Sequence, residues 1–190
     1  MQPLFYCLHF AGRLCADAAS QLKGLALPFL CSYLSAVQTA VYSPRHCPSF
    51  EGLFLWVFMT DLDWIVEARR HIGLREIVGL AHNPRILEML RKMGGFTGEH
   101  KAWWAEDETA WCGLFVGYCL GVSNRFVIPS WYRAKDWAKH ETLTKLDAPA
   151  YGCLAVFERK GGGHVGFVVG EDDKQNIMVL GGNQGNAVNI

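Results

Sequence analysis

Four helical patterns followed by three strand patterns occupy the chain from Met59 onward. Leu62, Ile65, Val66 and Ile72 fall on one side of a helix running from about Asp61 to Ile72, and Gly73 is placed to stop it. Thr60 is its expected N-cap, with Asp61 and Asp63 in the first turn, where negative charge complements the helix dipole. The second helix opens at Asn83-Pro84, an N-cap followed by proline at the first helical position. It turns Ile86, Leu87, Leu90 and Met93 inward and is expected to end at Gly94-Gly95. A loop rich in Gly, Trp and acidic residues (95–110) leads into a short apolar helix from about Ala110 to Leu120. A fourth helical pattern spans Pro129 to about His140, with Trp131, Ala134 and Trp137 or Ala138 turned to the core.

After Pro149 the texture becomes that of strands: CLAVFER (153–159), HVGFVVG (164–170) and NIMVLGG (176–182), separated by GGG and EDDKQ turns. Helices first and hairpin-linked strands last predict an α+β fold, with the N-terminal helices packed on a small antiparallel sheet. Residues 1–58 read differently, as an N-terminal extension preceding a domain at 59–190. They hold four cysteines and few charges and show no sustained periodicity. The uncharged run 24–44 raises a membrane contact, but Pro28, Gln38 and scattered Ser and Thr dilute it. Translation starting at Met59 is the alternative expectation.

Composition narrows the function classes. Apolar residues make up 51% of the chain and charged residues 19%, ample for a globular core. Lys plus Arg and Asp plus Glu each total 18, so no net field recruits nucleic acid, although a local basic patch is compatible with that balance. Seven cysteines without a CxxC pair suit neither a disulfide framework nor a zinc module, and point to synthesis in a reducing compartment. Cys119 and Cys153 fit core positions, and His82 and His100 have no spacing that implicates them.

Cys112 is the candidate nucleophile. It sits in ETAWCGLF at the first turn of its helix, where unpaired N–H groups and the dipole favour thiolate and can hold an oxyanion. The competing reading is a small buried hydrophobe. His164 begins an otherwise apolar strand and needs a partner or a task. If Val169 faces Met178 across the turn, the antiparallel register sets His164 opposite Asn183, with Cβ atoms about 5 Å apart. Asn183 is then placed to orient the ring, completing a Cys-His-Asn set.

NPRIL (83–87), DETAWCGLFV (107–116), GGHVGFVVG (162–170) and VLGGNQGNAVNI (179–190) together resemble the phage and prophage peptidoglycan hydrolases of the CHAP superfamily, close to NlpC-type lysins. The resemblance covers about Asp61 to Ile190 and implies a papain-like/CHAP fold. It also implies Cys112 as nucleophile, His164 as base and Asn183 as the orienting residue, where many members have an acid at the position of Gly181. Related chains continue past GGNQGNAVN into a further strand, which would make this one truncated. The implied activity is amide hydrolysis in the peptide stem of peptidoglycan by a monomer without cofactor or metal. The enzyme would be made in the bacterial cytoplasm and act at the cell wall, with a holin releasing it if it is phage-encoded.

Trp104, Trp111 and Gln184 are candidate substrate-binding residues, and Trp103 belongs to the same group. Glu106, Asp107 and Glu108 read as a solvated acidic turn before the catalytic helix. A zinc site of Cys112, Cys153 and His164 lacks a close ligand pair, and no sugar cleft supports a carboxylate glycosidase. A secreted antibacterial amidase, or a non-catalytic wall-binding module of the same fold, remains an alternative.

Overall fold

The computed structural model describes residues 3–8, 61–98, 104–159 and 161–190. Three α-helices, one 310 helix and a five-stranded antiparallel sheet make up the described part, an α+β fold. Helix α1 spans Asp63–Arg69, shorter than its apolar pattern, and Asp61 accepts the Leu62 N–H at its entrance. The expected cap Thr60 lies outside the described residues, as does the run 24–44. No described helix is long and apolar enough to cross a membrane.

Helix α2 spans Pro84–Thr97 and starts as its sequence dictates, with Asn83 Oδ1 accepting the Arg85 N–H at 2.9 Å. Its end differs from expectation. The helix passes through Gly94-Gly95 and stops at Gly98, which takes φ 72° and donates its N–H to the Gly94 carbonyl. Glycine tolerates a helix interior at modest cost. The extra turn sets Phe96 against Gly121 and within 6.5 Å of the Tyr118 ring. Helix α3, Cys112–Val122, is apolar all round, and every residue from Cys112 to Gly121 is buried. Such a helix belongs in the middle of a domain, and α3 packs against α1, α2 and the sheet. The fourth helical pattern condenses to a 310 helix at Ala134–Ala138, with Trp131, Ala134 and Trp137 buried.

The sheet has the order β2-β1-β3-β4-β5, with β1 at Leu4–Leu8, β2 at Leu143–Leu146, β3 at Leu154–Arg159, β4 at Gly162–Glu171 and β5 at Ile177–Leu180. The last three are the strands read from the sequence. β1 and β2 were not anticipated. β1 lies inside the sheet, pairing Phe5 with Leu146 on one side and with Ala155 on the other. The boundary drawn at residue 59 leaves these residues in an extension, whereas by contact Met1–His9 group with Thr60–Ile190. Phe5 and Leu146 pack against a small cluster of Cys153, Ala155, Val168 and Val179, which accounts for the burial of Cys153. Cys119 is also fully buried.

Candidate active site

Cys112 is the first residue of α3, and its neighbour must be small. A Cβ on Gly113 would collide with the Trp131 carbonyl, which already accepts the Trp137 indole N–H at 2.9 Å. The loop before α3 is held from one side. Asp107 is completely buried and accepts the N–H groups of Ile77 at 2.9 Å and Asn83 at 2.7 Å, with His82 Nδ1 at 3.2 Å. Burial works to raise its pKa, but the bonds from Asn83, Ile77 and His82 outweigh it and hold the carboxyl below its ordinary value. The expectation of a solvated acidic turn therefore fails for Asp107 and holds for exposed Glu106 and Glu108. His82, which the sequence did not implicate, is part of this anchor.

Glu76 extends the anchor by accepting the Trp111 indole N–H at 3.1 Å. Residues 73–76 also pair with the C-terminal segment: Gly73 N–H bonds the Val188 carbonyl, Val188 N–H bonds Leu74, and Arg75 bridges Ala187. The irregular stretch from Gly73 to Asn83 thus joins the loop that delivers Cys112 to the segment that follows β5.

That segment carries the partner of His164. The β4–β5 register keeps Phe167 opposite Leu180 and Val168 opposite Val179, with a bulge between Val168 and Gly170. β5 then stops at Leu180, and Gly181 bridges Asn189 instead. Extending the ladder to pair His164 with Asn183 therefore fails. Asn183 turns through φ 58°, and among the described residues the imidazole bonds Gln184, with Nε2 to Oε1 at 3.0 Å. The Gln184 amide nitrogen donates to Val179 O at 3.1 Å, Asn189 O at 2.7 Å and Asn189 Oδ1 at 3.0 Å. All its donors are thereby used, so Oε1 is the acceptor and His164 carries its proton on Nε2. Nδ1 is left as the basic nitrogen. Gln184, assigned to substrate from the sequence, is instead committed to the ring and the chain.

The thiol faces the same strand. Backbone N–H groups of Val165 and Gly113 interact with Cys112 sulfur, placing it against β4 at the residue that follows His164. No hydrogen bond joins thiol and imidazole among the described residues. Burial pushes the Cys112 thiol above its ordinary value, against the opposing pull of those N–H groups and the Arg159 charge. Burial likewise lowers His164, Gln184 opposes the shift, and Arg159 adds to it. Both groups therefore rest uncharged at neutral pH, in place of the thiolate expected from the helix dipole alone.

The two tryptophans are not groove walls. Trp111 is fully buried, and Trp104, 4% exposed, stacks on Trp131 with centroids 5.7 Å apart. Trp103 lies outside the described residues. A cleft of about 660 Å³ does open at Cys112, lined by Tyr132, the 310 helix and the glycines 161–163.

The structure thus sets a thiol at a helix start against a strand whose first residues carry an oriented imidazole. Residues 103–183, less than half of the chain, match the CHAP domain, whose members are typically cysteine- and histidine-dependent amidohydrolases. The matched stretch includes Cys112 and His164 and ends just before Gln184. No curated protein and no solved structure matches the chain.

Proposed function

We propose that the protein is a peptidoglycan hydrolase of endolysin type that cleaves an amide bond of the peptide stem, with Cys112 as nucleophile and His164 as base. The observation that carries this reading is the Cys112 sulfur at the start of α3 against the Val165 N–H, next to a histidine whose tautomer Gln184 fixes. His164 Nδ1 takes the thiol proton as sulfur attacks the carbonyl, and passes it to the leaving amine. Water then attacks the thioester, again with Nδ1 as base, and releases the carboxylic acid and free thiol. The main-chain N–H groups at the start of α3 have no intrahelical acceptor and suit a developing oxyanion.

Because the resting pair is neutral, the base acts during attack. Cys112 alkylation by iodoacetamide is accordingly expected to stay slow at pH 6 and to rise with pH. Cys112→Ala is expected to abolish release of new amino groups from purified peptidoglycan while leaving the melting temperature within a few degrees of wild type. Lysis by the variant at the wild-type rate would remove the cysteine mechanism.

One observation favours the non-catalytic wall-binding module: Cys112 is only 5% exposed. Wild-type protein that binds peptidoglycan and releases no amino groups would establish that second reading.

A further inference from the structure

The cleft at Cys112 is basic although the chain is neutral. Arg133, Lys135, Lys139 and Arg159 line it, against the single carboxylate of Asp136. Among the described residues none of these four cations takes part in an ion pair, whereas Arg69, Arg70, Arg85, Lys92 and Arg125 elsewhere do. Two of the four are positioned by the fold. The stem of Lys135 lies across β4 so closely that a Cβ at Gly163 would meet its Cγ at 2.9 Å. Arg159 pairs with Gly162 at the hairpin end, two residues beyond the Phe157–His164 pair, so Arg159 and His164 leave the same side of the β3–β4 hairpin. Its charge is felt by both Cys112 and His164. Unpaired cations beside a nucleophile, over a floor of side-chain-free glycines, suit an extended peptide bearing carboxylates.

We propose that this cleft seats free carboxylates of the substrate, so that the protein selects stem peptides with ionised side-chain carboxyls over those in which the same groups are carboxamides. The inference rests on the hydrolase reading above and adds the substrate class. Arg159 and Lys135 are the specificity-determining residues, and Arg133 and Lys139, both exposed, widen the positive field at the rim.

The test uses two synthetic stem peptides identical except for carboxylate or carboxamide at the acidic positions. Wild type is expected to show a kcat/KM roughly tenfold or more higher for the carboxylate peptide, mainly through KM, with the preference shrinking as salt rises. Arg159→Gln and Lys135→Gln are each expected to erase most of that preference. Arg159→Gln should also move the acid limb of the pH profile upward, because a like charge near His164 is gone. Arg91→Gln, on the exposed face of α2, serves as the control that keeps the preference. Equal cleavage of the two peptides by wild type, or the same loss on both in Arg159→Gln, overturns the proposal and leaves the hydrolase reading standing. If neither peptide is cleaved, the hydrolase reading falls, and calorimetric titration of both peptides into Cys112→Ala still decides the cleft. Tighter binding of the carboxylate peptide upholds it, and equal or absent binding ends it.

Discussion

Gln184 reaches the imidazole because position 181 has no side chain. A Cβ there would stand 3.1 Å from His164 Nε2 and 3.2 Å from the Gln184 carboxamide, in the space the glutamine now fills. An acid at 181, as the family resemblance leads one to look for, would crowd the glutamine at 184 and compete with it for the same ring. Gln184→Leu keeps the bulk and removes the acceptor. We expect kcat to fall about 100-fold with a smaller change in KM, in the range that positioned acid–base groups supply. The acid limb should also shift to lower pH, since the lost bond is the one that favours the protonated ring. An unchanged pH profile would show that the amide does not act through His164. Cys112 and His164 were legible in the sequence as a candidate pair because each is a chemical exception in an apolar element. Gln184 was not: strand alternation points to Asn183, and nothing in the residue pattern announces that β5 ends at Leu180 and the chain turns left-handed at Asn183.

The elements around the site are tied together by a segment without regular structure. Asp107 is its keystone, and an EDE run gives no sign that the middle acid is buried while its neighbours are solvated. The ends of α2 teach the same distinction. Its start is written in Asn83-Pro84, a local hydrogen bond and a fixed φ. Its stop depended on what Phe96 packs against, which no local rule contains. Asp107→Asn is expected to cost on the order of 1–3 kcal/mol at pH 7, because buried N–H groups of Ile77 and Asn83 lose a charged acceptor. The sign of the pH dependence follows from the depressed folded pKa. Asp107 contributes its stability above the ordinary carboxyl value of 3.8 and loses it as pH falls through the lower folded value. Urea melts of wild type and variant should therefore differ at pH 7 and converge in strong acid. A gap that persists there would locate the effect in packing instead.

On the scale of the whole molecule, the α+β class and the helix-then-strand order were legible because they depend on periodicity alone. The place of β1 was not, since LFYCL lacks alternation and its partners lie at the other end of the sequence. Tyr6→Pro tests that placement, because Tyr6 is opposed by Lys145 on one side and Leu154 on the other. Proline inside a paired strand removes a ladder hydrogen bond and is essentially confined to edges and bulges, so a drop of many degrees in melting temperature is expected. An unchanged melt would exclude Leu4–Leu8 from the sheet. The position of this strand also governs the order of events during synthesis. The ribosome makes Leu4–Leu8 well before its two partners, Leu143–Leu146 and Leu154–Arg159. Joining such distant segments adds little to the equilibrium cost of closure, which grows only with the logarithm of separation, but it slows the search. Until those partners emerge, the apolar segment Leu4–Leu8 has neither of its two neighbours to pair with, and its backbone N–H and C=O groups stay open on both edges.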